Sequence, residues 1–207
     1  MESLAAPITH FIQSAGYVGV FVLMVLESAL IPIPSEITMP FAGFFAAVGN
    51  LNFLIIVFVG ALGNLVGSLI AYYIGYFLEE TVIVNAINKY GKFILVTEHD
   101  YNTANKWFAK YGSGVVFFSR LLPAFRTFIS LPAGIFRMNI WKFSVYTFVG
   151  SLLWSALLTY VGLQLGKNWS TLGVYFRKFD IAIAVLGVLA VLFYVNHKLK
   201  IVKLKIF

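Results

Sequence analysis

Residues 116–136 read "VFFSRLLPAFRTFISLPAGIF". The stretch is apolar enough to enter a lipid bilayer, yet Arg120 and Arg126 flank Pro123 within it and no acid accompanies them. A charge at the centre of a membrane helix costs about 2.5–3.5 kcal/mol on insertion scales, so both arginines need partners from elsewhere in the chain. Proline removes a backbone hydrogen bond and breaks the helix. Broken backbone at membrane depth is tolerated only where it packs inside protein or lines a wet cavity. This one stretch therefore predicts a polar site inside a membrane protein.

Composition agrees. The chain of 207 residues is 60% hydrophobic and 11% charged, with a mean hydropathy of +0.89, far from the balance of a soluble domain. Its net charge of +7 comes from dispersed basic residues, which argues against a nucleic-acid partner and for contacts with anionic membrane lipids. No cysteine is present, which excludes disulfides and thiolate metal sites. The opening "MESLAAPITHFIQSAGYVG" lacks the basic region of a cleavable signal, so the N-terminus is expected to stay on the mature protein.

Residues 53–76 and 143–165 are each long enough for a full crossing, which needs about 20 residues. A shorter apolar block near 180–195 reaches across with snorkelling flanks. The blocks at 17–48 and 114–136 are interrupted by prolines and charges, the pattern of re-entrant hairpins or discontinuous helices. Residues 79–112 mix Glu79, Glu80, Lys89 and Lys92 with Glu98, Asp100, Lys106 and Lys110, and read as a polar surface helical segment.

The two halves resemble one another. Phe53, Phe58, Val59 and Gly60 recur as Phe143, Phe148, Val149 and Gly150, an offset of 90, and "PFAGFF" at 40–45 answers "LPAGIF" at 131–136 with one residue of slippage. Each copy runs from a charged, proline-broken block through a small-residue turn into a full crossing, the paired arrangement that transporters build around a central site. The expected fold is an all-α integral membrane protein. Within one integral membrane domain, residues 1–207, it has a first repeat at 17–76, the polar segment at 79–112 and a second repeat at 114–166. A C-terminal span with its basic tail follows at 178–207. Lys198, Lys200, Lys203 and Lys205 put that tail in the cytoplasm of a cell-membrane protein and make the repeats inverted.

The charges within the broken blocks carry the chemistry. Glu27 and Glu36 stand on either side of Pro32 and Pro34, as Arg120 and Arg126 flank Pro123, and Pro132, Gly43 and Gly134 complete the expected hairpin breaks. The four charges could pair and merely hold the hairpins together. Alternatively, the arginines receive an anion, since guanidinium matches phosphate bidentately and keeps its charge. The glutamates can change protonation and so act as proton-coupling or gating groups. Ser35, Asn64, Ser119 and Ser130 are polar candidates for the same cavity. Ser119 and Ser130 have no partner base nearby, so no catalytic residue is assigned. His10, His99 and His197 do not cluster, so no metal or other cofactor is expected. Gly60, Gly63, Gly67 and Gly75 with Ser68 form a close-packing face. Trp141, Trp154 and Trp169 read as interface anchors.

"ESALIPIPSE" followed by "PFAG", and "FFSRLLPAFRTFISLPAGIFRMNIWKF" followed by Gly150 and Trp154, resemble the DedA membrane proteins, whose shared region is also called the VTT or SNARE-associated domain. The likeness covers about residues 17–166. It implies a lipid transporter with two opposed re-entrant hairpins, not an enzyme. Some bacterial members translocate undecaprenyl phosphate, returning the spent cell-wall lipid carrier to the inner leaflet. Matched by motif, Glu27 and Glu36 correspond to the family's essential acids, and Arg120 and Arg126 to its essential arginines. The second acid of the family is often Asp after a longer loop, whereas this chain has a short loop ending in Glu36. The expected partners are a polyprenyl phosphate or phospholipid, membrane lipids and a coupling proton or cation, with homo-oligomerisation left open. A proton-coupled exporter of small solutes or cationic compounds is the alternative that the same four charges could serve. An intramembrane lipid phosphatase would require a histidine or metal cluster as well.

Overall fold

The computed structural model describes residues 2–31, 33–78, 98–122 and 126–165. Pro32, Pro123, residues 79–97 and the expected C-terminal span with its basic tail lie outside the described residues. Among the described residues there are six helices and no strand: α1 (Glu2–Ser28), α2 (Ser35–Ala47), α3 (Phe53–Phe77), α4 (Glu98–Ser119), α5 (Ser130–Ile135) and α6 (Ile140–Leu165). Among these residues, three segments are long and apolar enough to cross a membrane, namely Ala6–Ser28 in α1, Phe53–Phe77 and Ile140–Leu165. The described residues are thus those of an all-helical membrane protein.

α3 and α6 fall nearly where the apolar runs place them, but α1 begins well before the expected block at residue 17. Ile8 and Ile12, four residues apart on one helical face, are buried and bring the N-terminal part into the core. Gly16, at φ 55 and ψ −130, breaks the helix between that part and residues 17–28. α4 runs without interruption through the expected boundary between polar segment and second repeat.

The two long helices open alike. The Asn52 side chain accepts from the N–H groups of Leu54 and Ile55 at 2.9 and 3.3 Å, and Asn139 accepts from those of Trp141 and Lys142 at 3.0 and 3.2 Å. Each cap satisfies N–H groups that have no partner inside the helix. α2 and α5 also close alike. The N–H groups of Gly49 and Asn50 reach back to the carbonyls of Ala46 and Phe45, as those of Arg137 and Met138 reach Gly134 and Ala133. That closure needs a left-handed residue, supplied by Gly49 at φ 82 and Arg137 at φ 50.

α3 and α6 pack together at the centre. α1 lies on α3 and α4 on α6, while α2 crosses to α6 and α5 crosses to α3. Glycines let these backbones touch, and the contacts come in matching sets. Gly63 meets the Phe21 carbonyl and Met24 Cβ, just as Gly150 meets the Phe117 carbonyl and Arg120 Cβ. A Cβ on Gly43 would overlap the Thr159 carbonyl and one on Gly162 the Pro40 carbonyl. Correspondingly, a Cβ on Gly134 would overlap the Tyr72 carbonyl and one on Gly75 the Leu131 carbonyl.

These contacts set a register. The short helices match at an offset of 91 (Gly43 with Gly134), the slipped value read from the sequence, but the long helices match at 87 (Gly75 with Gly162, Asn52 with Asn139). The sequence match of Phe53–Gly60 with Phe143–Gly150 differs from this by three residues. Three residues are nearly one helical turn. Repeated Phe and Val therefore line up on almost the same face in either register.

Candidate functional site

Glu27 lies in the last turn of α1, and Ser35 is the first residue of α2. The chain turns back between them, so the Ser35 N–H donates to the Glu27 carboxylate at 3.0 Å. Pro34 is the N-cap of α2, and Glu36 sits in its first turn, where the helix dipole favours negative charge. The turn passes through Leu30 at φ 71, a conformation that costs a non-glycine residue about 1–2 kcal/mol.

Arg126 enters this turn from the other half of the chain. Its Nη2 donates to the same Glu27 oxygen and to Ser35 Oγ, and Glu36 Oε1 lies 3.7 Å away. The short loop thus does bring Glu36 to Arg126, at ion-pair distance but beyond a hydrogen bond. Glu27 and Arg126 are 5% and 4% exposed, whereas the Glu36 side chain is 16% exposed. Arg126 Nε and Nη1 and Glu27 Oε2 are buried with no partner among the described residues. Ser35 and Arg126 stand 91 residues apart in the chain, so the site joins a segment before α3 to one before α6.

Arg120 is held differently. Its Nη1 donates to Ser68 Oγ at 2.9 Å and to the Arg126 carbonyl at 2.7 Å, and its Nη2 donates to Ser130 Oγ at 2.9 Å. The guanidinium also lies 5.7 Å from the Phe143 ring centroid, within cation–π range. Arg120 therefore ties α3, α5 and the backbone of Arg126 together through neutral acceptors.

The remaining candidates divide. Ser35 and Ser130 join the arginines. Asn64 instead accepts from Ser28 at 2.5 Å, next to Glu27. Ser119 donates to the Val116 carbonyl in its own helix at 2.8 Å. Gly43 and Gly134, expected at hairpin breaks, lie inside α2 and α5, where close backbone contact with α6 and α3 requires them. Pro132 also lies inside α5, in its first turn, where its missing N–H costs nothing.

Two residues of the site escaped the sequence reading. Ser68 was read as packing, although it stands four residues after Asn64 on the same helical face. Trp154 was read as an interface anchor, but it is only 7% exposed and its ring centroid lies 5.4 Å from the Arg126 guanidinium carbon. Its Nε1 is buried with no partner among the described residues. Trp141, by contrast, is 77% exposed, in keeping with an anchor.

The VTT domain matches residues 33–164. The chain is 33% identical over 194 residues to undecaprenyl phosphate transporter A of Bacillus subtilis (strain 168), covering 94% of each chain. It is also 33% identical over 187 residues to the protein of the same name from Staphylococcus aureus (strain NCTC 8325 / PS 47), covering 90% of this chain and 92% of that one. An alkaline phosphatase-like protein of Lactococcus lactis subsp. cremoris (strain MG1363) is 32% identical over 187 residues, 89% of this chain and 87% of the relative. No solved structure matches the chain.

Proposed function

The chain belongs to the VTT-domain family, the DedA membrane proteins, and on that premise we propose that it translocates a polyprenyl phosphate such as undecaprenyl phosphate, or a related phospholipid, across the cytoplasmic membrane. It is a transporter and not an enzyme, like the named transporters it matches over nearly their whole length. The observation that carries the substrate class is Arg126, a buried guanidinium with unpartnered Nε and Nη1 at the meeting point of the two halves. A charged donor in a dry site is suited to a phosphate oxyanion, while the lipid tail stays in the bilayer through a lateral opening.

In the empty state Glu27 neutralises Arg126. An arriving phosphate replaces Glu27 as the partner, and the displaced carboxylate, costly to leave buried and charged, takes up a proton. Glu36, closer to the surface, passes protons to and from this position. Arg120 holds the backbone of Arg126 while the exchange occurs.

Two inverted hairpins are the scaffold of this reading. Residues 17–28 of α1 and the 13 residues of α2 are each shorter than a crossing, which needs about 20. Ala6–Ser28 is long enough as a whole, but the break at Gly16 divides it. The matching glycine contacts, with each short helix exchanged onto the long helix of the other half, support two copies of one unit.

The test is reconstitution into vesicles with radiolabelled undecaprenyl phosphate, its outer-leaflet fraction read by an external phosphatase. Wild-type protein is expected to equilibrate the leaflets and Arg126→Ala to fall to the protein-free rate. Equal rates for the two proteins overturn the reading. So does a folded wild-type protein that moves neither polyprenyl phosphate nor labelled phospholipid, an outcome that favours the solute exporter.

A further inference from the structure

The two halves differ most plainly where Trp154 stands. At the long-helix offset of 87 its counterpart is Gly67. A Cβ on Gly67 would overlap the Val25 carbonyl, because α1 lies directly against α3 there. In the second half, the counterpart of Val25 is Leu121, at the offset of 96 set by Phe21 with Phe117 and Met24 with Arg120. Leu121 lies beyond the end of α4 at Ser119. α4 thus ends just where α1 still covers Gly67, and a position that must be glycine on α3 carries an indole on α6.

Packing alone would be met there by phenylalanine or leucine. An indole brings an N–H, and a buried N–H without an acceptor costs free energy that an apolar ring would not. The Trp154 ring lies 5.4 Å from the Arg126 guanidinium carbon, and the buried, unpartnered groups of this region include Trp154 Nε1 with Arg126 Nε and Nη1. All three are donors. None has an acceptor among the described residues, and the unpartnered acceptor of the site is Glu27 Oε2, on the carboxylate that an arriving phosphate displaces.

We infer that Trp154 is a substrate-binding residue whose indole N–H donates to a phosphate oxygen beside Arg126, biasing the site toward a phosphate monoester over a diester. A monoester presents three non-bridging oxygens for the three waiting donors, whereas a diester presents two. The ring also covers the guanidinium and keeps water from competing for it. The inference deepens the lipid-phosphate reading and rests on it.

The test uses two full-length variants in detergent, titrated with undecaprenyl monophosphate and, in parallel, with phosphatidylglycerol as the diester. Trp154→Phe keeps an aromatic ring and removes the N–H. A second protein carries Phe at Trp107, Trp141 and Trp169, leaving Trp154 as its sole tryptophan, excited selectively over tyrosine. Calorimetric titration is expected to show wild type binding the monophosphate more tightly than the diester. Trp154→Phe should weaken monophosphate binding about 10- to 100-fold, as for a lost hydrogen bond to a charged group, with much less change for the diester. The single-tryptophan protein should shift its emission on binding the monophosphate.

If wild type binds no monophosphate, the lipid-phosphate reading itself falls and this inference falls with it. If wild type binds and Trp154 emission is unchanged, the inference alone is overturned, whatever the folding of the phenylalanine variant. Equal weakening for both lipids together with a lower melting temperature also overturns it, because that is the mark of packing.

Discussion

By the offsets of the matching glycine contacts, Met24 and Met39 of the first half and Ser155 of the second correspond to Arg120 and Ser130 of the second half and Ser68 of the first. All six are buried, and the helices that carry them pack through matching glycine contacts. One scaffold thus holds a thioether cluster at one place and a fixed cation at its counterpart. The difference separates scaffold from chemistry. Glycines and asparagine caps recur because both halves need the same backbone, whereas charge does not recur, because each half supplies what the other lacks. The acids Glu27 and Glu36 come from the first half and both arginines come from the second.

Writing one half into the other gives the largest expected effect. Arg120→Met installs the counterpart side chain and leaves Ser68, Ser130 and the Arg126 carbonyl without their donor. Losing hydrogen bonds from a charged donor costs about 1.5–3 kcal/mol each before relaxation. Transport should fall to the protein-free rate in the vesicle assay, with a clear drop in melting temperature. A variant that still transports would make Arg120 as dispensable as Met24 and break the comparison.

The two acids are expected to be unequal. Glu27→Gln removes the charge that neutralises buried Arg126 and should slow transport about 100-fold, of the order expected when a buried pair loses a partner. Glu36→Gln acts on a less deeply buried group beyond hydrogen-bond distance from Arg126, so only about threefold slowing is expected, of the order of a weak ion pair, together with an altered pH profile. Rates measured across pH would sharpen the contrast. A Glu36→Gln protein with wild-type rate and wild-type pH dependence would remove Glu36 from the proton path.

The smallest effects test whether the scaffold is truly shared. Gly43→Ala and Gly134→Ala each force a Cβ into a carbonyl on the opposing long helix. Overpacking of this kind costs about 1–3 kcal/mol, and thermal melts in detergent should show similar losses for the two. A large loss at one and none at the other would mean that the matching contacts do not bear equally on stability.

The proline-interrupted blocks and the four charges were legible because each violates the composition around it, whereas Gly43 and Gly134, expected at hairpin breaks, serve helix packing instead. Two full crossings followed from length alone, since a bilayer of about 30 Å sets how many apolar residues a span needs. The N-terminal helix was missed because Gly16 interrupts its periodicity and the stretch before it is only moderately apolar. The register of α3 against α6 was displaced by three residues because a helix presents nearly the same face one turn away.

Read alone, the sequence determined that the protein lives in a membrane and that Arg120, Arg126, Glu27 and Glu36, set in two broken blocks, each need partners from elsewhere in the chain. Burial cost dictates all of this, because charges in an apolar chain must find polar partners. Only the tertiary structure decided that Arg126 takes Glu27 while Arg120 takes serines and a backbone carbonyl, and that Trp154 stands against the site. Those choices depend on where α1 and α4 end and how closely glycines let α2 and α5 approach the long helices, and such distances between segments remote in the chain are set by packing.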